Sequence, residues 1–271
     1  MERTHTPKLS VIMGVYNCKE KKLLLESVKS VISQTFLDWE LLICNDGSVD
    51  DTANFLDEIS KLDSRVRILS YDKNCGLNHA LNTCLKEARG KYIARQDDDD
   101  RSYPQRFETQ IQFMEEHPEY SVIGTNADVY DDNGIWGSYK VDEKPTKESF
   151  LWNSPFIHPT VMMRKSTLEI VKGYREVKAA RRCEDYDLFM RLYAKGYKGY
   201  NIQENLYCYR MVNDLRVKHR PMKYRIDEAI IRYQGFRQLQ LMPKGIIYVV
   251  KPILIGLIPQ RILYEIKKKR Y

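Results

Sequence analysis

The stretch GKYIARQDDDD, Gly90 to Asp100, decides how the rest of the chain is read. Its first half is short and apolar, and Gly90 separates it from the segment before, so Lys91–Ala94 is predicted as a strand. Its second half contains four consecutive aspartates, Asp97 to Asp100. Like charges a few ångströms apart repel by several kcal/mol per close pair at an effective dielectric near 20. A folded chain keeps such a cluster at a strand end when a cation relieves the repulsion. Carboxylate oxygens are hard ligands, suited to Mg2+ or Mn2+ shared with phosphate groups. The competing reading, a solvated acidic turn, fits poorly with an apolar strand feeding straight into the cluster.

Outward from this stretch, strand-like and helix-like patterns alternate over the first 130 residues. Further strands are predicted at Leu9–Tyr16, Glu40–Asn45, Val66–Tyr71 and Ser121–Tyr130. Apolar residues at intervals of three and four predict helices around Leu24–Ile32, Leu77–Ala88 and Phe107–Met114, with Gly90 and Pro118 where helices end. Such alternation predicts an α/β fold with a mostly parallel sheet and helices on both faces. Ligands of such sheets bind at the carboxyl ends of strands, so loops just after strands are where chemistry is sought. Beyond Asp131 the pattern changes. Asp132-Asn133-Gly134 predicts a hairpin turn, and a helix is predicted from about Glu184 to Lys195, ended by Gly196.

Two further motifs sit at such positions. CNDGS, Cys44 to Ser48, ends the second strand; Asp46 there can accept from a ring N–H, and Gly47 lets the backbone turn near a ligand. An Asp-Gly pair also marks ordinary turns. In CEDYDLFMRL, Glu184 and Asp185 open a helix. They read either as dipole partners of the helix or as a general base that removes a hydroxyl proton.

Taken in order, SVIMGVYN, CNDGS, NCGLNHALN, GKYIARQDDDD, YPQRFETQ, HPTVMMRKS, GY and CEDYDLFMRL resemble the family-two glycosyltransferases of the GT-A fold, over roughly residues 8 to 212. The likeness is strongest to members that build O-antigens and capsules. It implies an inverting enzyme of the GT-A type that uses a UDP-sugar and Mn2+ or Mg2+. It implies Tyr16 and Asn17 near the nucleotide, Asp46 on the uracil, and Asp97, Asp99 and Asp100 on ribose, metal and diphosphate. Arg95 is then expected toward the diphosphate, and Asp185, beside Glu184, is the expected base. Inversion of an α-linked UDP-sugar would give a β-glycoside. The resemblance also implies a catalytic region over 1–212, with a nucleotide-binding half to about 100 and an acceptor half beyond. Two departures stand out: Gly14-Val15 where many members have Pro-Thr, and Asn45 for a first Asp. The His-bearing motif expected after Tyr209-Arg210 is not evident. His158, in HPT, reads equally as site-lining or as a core histidine.

Composition bounds the rest. With 271 residues, 43% of them hydrophobic, the chain can bury a sizeable core. The six cysteines show no C-x-x-C pair and no zinc spacing, and MERTHTPKLSVIMG has no signal-peptide character, so a cytoplasmic catalytic part is expected. Net charge is +7, but residues 211–271 carry 14 Lys and Arg against 4 Asp and Glu. This 213–271 appendage reads as helical. Within it, GIIYVVKPILIGLI (245–258) is too short to span a bilayer, and Arg261, Lys267, Lys268, Lys269 and Arg270 follow. An apolar run bordered by cations describes either a segment lying on an anionic membrane, here the inner face of the cell membrane, or a helix packed on the domain. Nucleic acid is not expected, because Tyr248 and Tyr264 are not interleaved with the charges. The acceptor implied by tail and resemblance together is a saccharide on undecaprenyl diphosphate. No Gly-rich phosphate loop marks a nucleotidyltransferase, and no G-x-G-x-x-G marks a dehydrogenase. A catalytically inactive binding subunit of the same fold would be expected to lack the aspartates at 46, 97, 99 and 185.

Overall fold

The computed structural model describes residues 6–211 and 220–258. Strands β1 (Leu9–Val15) and β2 (Trp39–Asn45) are buried along almost their whole length, because helices cover both faces of the sheet. β1 pairs in parallel with β2 and with β4 (Tyr92–Arg95), and β2 pairs with β3 (Val66–Ser70). The connecting helices are α1 (Lys21–Ile32), α2 (Thr52–Ser60) and α3 (Leu77–Glu87). This half is the predicted parallel sheet, and Leu24, Val28 and Val31 of α1 and Leu81 and Cys84 of α3 are buried in it.

The second half is mixed. It comprises β5 (Arg101–Ser102), α4 (Arg106–Glu116), β6 (Tyr120–Asp131), β7 (Gly134–Tyr139), β8 (Met162–Arg164), α5 (Lys165–Ile170), α6 (Glu184–Ala194) and β9 (Lys198–Arg210). Strand order is β3-β2-β1-β4-β8-β6-β9-β5, with β7 paired to β6. β6 and β9 form a long parallel ladder, while β8, β7 and β5 join antiparallel. The hairpin expected at Asp132–Gly134 is β6–β7, where Gly134 takes a left-handed φ of 114°.

Two helices complete the described chain, α7 (Met222–Gln238) and α8 (Ile246–Leu257). They form an antiparallel pair: a Cβ at Gly256 would lie 2.5 Å from Arg225, and one at Gly245 would lie 2.8 Å from Phe236. α7 presses Gly235 onto Met190 of α6, so closely that a Cβ would stand 2.2 Å from the sulfur. Arg232, buried, bonds the carbonyls of Leu151 and Trp152, and Lys251 of α8 sits 3.4 Å above the Trp152 ring. The appendage therefore packs on the rest of the molecule along one side. Its other side is open: Ile226, Ile230 and Tyr233 of α7 and Ile246, Ile247, Val250, Leu254 and Leu257 of α8 are exposed. Among the described residues no helix is long and apolar enough to cross a membrane. The basic cluster from Arg261 to Arg270 lies outside the described residues.

Candidate active site

The carboxyl ends of β1 and β2 open onto a cleft of about 460 Å3, lined by Tyr16, Asp46, the Asn74–Ala80 region, Glu184 and Tyr224 among others. Why β1 ends there is a matter of packing. A side chain at Gly14 would lie 2.9 Å from Leu77 Cδ1, so the glycine that stands in place of the family's proline lets α3 close against the strand. Asn17 follows in the left-handed region (φ 45°) and ties two loops together. Its N–H donates to Ser48 Oγ, and its own Oδ1 accepts from Val49 N. Tyr16 is left half-exposed in the cleft.

Asp46 is the best-anchored carboxylate of the site. Oδ1 accepts from Tyr71 OH (2.7 Å) and from the N–H groups of Cys75 and Gly76, and Oδ2 accepts from Asn74 Nδ2 and Gly76 N. A carboxylate offers about four acceptor positions, so these donors nearly fill it. Asp46, expected on the base of a nucleotide, thus first organises the loop 71–76 that forms one wall. Gly47 is required beside it: its φ is 63°, and a Cβ would strike the Lys73 carbonyl carbon at 2.3 Å.

The acidic loop follows β4 and its backbone is knitted in place. Ser27 Oγ donates to the Asp97 carbonyl, Tyr130 OH to that of Asp99, and Gln96 Nε2 to that of Asp100. Beneath it, buried Arg106 bonds Gln96, Ser102 and the carbonyls of Arg95 and Pro159. Two of the expected site residues are buried here. Arg95, expected toward a diphosphate, is buried and turned back onto Asp97 and the Gln96 carbonyl. Asp100, expected with Asp97 and Asp99 on a metal, is 1% exposed, and its Oδ1 accepts from Arg210 N at 2.6 Å. Successive residues of a tight turn point different ways, so four adjacent aspartates do not converge. No group of three ligating side chains that could hold a metal ion is assembled among the described residues.

A shared cation nevertheless fits the donor set. The side chain of Asp98 is pushed up to about 7, first by burial and then by the charges of Asp99 and Asp97. Asp99 is raised for the same reasons, and Asp100 Oδ2 is buried without a partner. Among the described residues the loop's carboxylates make one ion pair, Arg95 with Asp97. Mg2+ and Mn2+ commonly take one or two carboxylates and complete their shell with substrate phosphates and water. Asp97 and Asp99 are the carboxylates suited to that.

Glu184 and Asp185 open α6, both half-buried, and Glu184 lines the cleft. Glu184 is raised to about 7 by burial and then by the charge of Asp185; Asp185 is raised too, first by burial, with backbone N–H groups opposing. Their helix is fixed from behind by Asp187, 3% exposed, which pairs with Arg175 and Arg191. This clamp escaped the sequence reading, although an i,i+4 Asp–Arg pair was there to be seen. His158 is partly exposed, with Nε2 at 3.0 Å from Tyr174 OH and its ring near Phe189, and desolvation beside Arg95 holds its imidazole well below the usual histidine range.

The site thus joins a cleft, an acidic loop and a raised carboxylate pair, and the chain is similar to known proteins. Residues 10–171 match the model for "Glycosyl transferase family 2". The chain is 41% identical to the glycosyltransferase EpsE of Bacillus subtilis (strain 168), over 97% of this chain and 94% of that protein. It is 28% identical to an Escherichia coli UDP-Gal:α-D-GlcNAc-diphosphoundecaprenol β-1,3-galactosyltransferase, over 97% and 96%. Among solved structures, S. aureus TarS 1-349 in complex with UDP-GlcNAc superposes with a TM-score of 0.69 at 18% identity, over 90% of this chain and 73% of that one. The Pyrobaculum calidifontis mannosyltransferase PcManGT, in complex with GDP-Man and Mn2+, superposes with a TM-score of 0.59 at 15% identity, over 98% and 81%. The chain belongs to glycosyl transferase family 2 and is a glycosyltransferase of the GT-A fold.

Proposed function

We propose that this enzyme moves a hexose or N-acetylhexosamine from a UDP-sugar to a hydroxyl of a saccharide carried on undecaprenyl diphosphate, with inversion, in the synthesis of a bacterial surface polysaccharide. The observation that carries this reading is one cleft lined by Tyr16, Asp46 and Glu184, with Asp185 next to Glu184 at the start of α6. The lipid-diphosphate acceptor is supported by the name of the E. coli relative.

In this reading the acceptor hydroxyl attacks the anomeric carbon as its proton passes to Asp185, and the bond from that carbon to the UDP oxygen breaks with both electrons leaving on UDP. Glu184, held largely protonated below about pH 7, then adds no full second charge beside Asp185. Asp46 keeps the loop 71–76 rigid against the base, while Arg95 and Tyr207 hold Asp97 in register. Mn2+ or Mg2+ at Asp97 and Asp99 would neutralise charge growing on the diphosphate. The exposed apolar sides of α7 and α8, together with the basic residues from Arg261 onward, suit an anionic membrane surface at the inner face of the cell membrane.

The test is a set of UDP-sugars presented with N-acetylglucosaminyl α-diphosphate on an alkyl chain, with the product linkage read by NMR. One donor should yield a β-linked disaccharide. An α-linkage would overturn the inverting mechanism, and transfer only to acceptors without the diphosphate would overturn the acceptor class.

A further inference from the structure

One stretch of the cleft wall is not used by the reaction above. The loop that leads into α6 carries Arg181 and Arg182, both exposed and both lining the cleft. Among the described residues neither has a carboxylate within ion-pair distance. Glu176, one of the carboxylates lining the cleft, is committed to Asn82 and His79. Arg182 is also held in a costly way: its φ is 65°, a left-handed conformation that a long side chain adopts at a cost of about 1 kcal/mol or more. Its guanidinium lies 5.1 Å from the ring centroid of Tyr224, which α7 sends into the cleft. A stack on an aromatic face fixes the guanidinium plane and leaves its N–H edge free. Two such cations beside an aromatic wall suit a bidentate anion, and phosphate oxygens fit that geometry best.

Position decides which phosphate. The donor diphosphate is matched above by the cation expected at Asp97 and Asp99. Arg181 and Arg182 stand two to four residues before the Glu184–Asp185 pair, and Tyr224 belongs to the helix whose open side is apolar. In a lipid-linked acceptor the diphosphate lies between the sugar that meets the base and the lipid. We propose that Arg181 and Arg182, the latter braced by Tyr224, form the subsite that grips the diphosphate of the lipid-linked acceptor. The inference rests on the acceptor class proposed above.

The experiment measures binding by calorimetry with the donor site filled by saturating UDP, so that diphosphate affinity reports the acceptor side alone. The probes are N-acetylglucosaminyl α-diphosphate on a short alkyl chain and the same alkyl glycoside without the diphosphate. Wild type should prefer the diphosphate probe. R181Q/R182Q should weaken that probe by about tenfold or more while leaving the neutral glycoside and UDP affinities unchanged. R181K/R182K should recover part of the loss, because charge returns without the planar fork. Both residues are exposed, and an unchanged thermal midpoint verifies that each variant is folded. Wild type preferring the diphosphate probe with no change in R181Q/R182Q would overturn the subsite and leave the acceptor class standing. A parallel fall in UDP affinity would assign the arginines to the donor instead. A wild type indifferent to the diphosphate would overturn the acceptor class and the subsite with it.

Discussion

Glu184 and Asp185 are adjacent, share one helix terminus and are both raised by burial, yet a base must be ionised to work. Protonation at low pH switches it off, and a raised value moves that limb upward. Turnover should therefore climb with pH along an acid limb above the ordinary aspartate range, in buffers with constant metal and saturating donor. A limb at about 7 that vanishes in Glu184→Gln would move the base role to Glu184. The acidic loop makes a separate prediction. Asp99→Ala removes a carboxylate already strained by burial and by Asp97, so the thermal midpoint should hold while turnover falls by about 10^2 or more. Chelation of the wild type should abolish turnover, with Mn2+ or Mg2+ restoring it; full turnover in EDTA would exclude the metal. At this scale the sequence was legible for residue type and poorly legible for direction. Asp97 to Asp100 stood out, but which of them would turn inward depended on the Arg210 N–H, more than a hundred residues away.

Among the elements, the parallel half was readable because β1, β2 and the helices around them carry clean periodicities. β9 was not predicted. Its sequence, KGYNIQENLYCYR, mixes polar residues into an interior strand, and Asn201 is buried there only because Asp142 and Pro155 offer carbonyls to its amide. Nothing local signals those partners. The tail was read as helical, with packing and membrane contact as alternatives, and the structure shows packing along one side of α7 and α8 and exposed apolar residues along the other. Replacing Ile247, Leu254 and Leu257 with Glu adds charge to the open side without touching Val249 or Pro252, the buried positions of α8. The triple variant should keep its thermal midpoint and its turnover on a short-chain acceptor, and should lose flotation with liposomes containing anionic lipid. Wild-type protein that stays at the bottom of the gradient with neutral and anionic liposomes alike would remove the membrane from the account.

Over the whole molecule, chemistry and charge are separated along the chain. The carboxylates expected to do the chemistry come from residues 46 to 185, and the surplus of Lys and Arg lies in residues 211–271. Tyr224 joins the two, since it belongs to the basic appendage and lines the cleft. The central claim is that Asp185 takes the acceptor proton in a single inverting transfer from a UDP-sugar. The most direct test compares wild type with Asp185→Asn in single-turnover transfer from the active UDP-sugar, alongside the dissociation constant for UDP. Asparagine keeps the shape and removes the proton acceptor. The transfer rate should fall by about 10^2 or more with UDP affinity essentially unchanged. Transfer by Asp185→Asn at the wild-type rate would contradict the account.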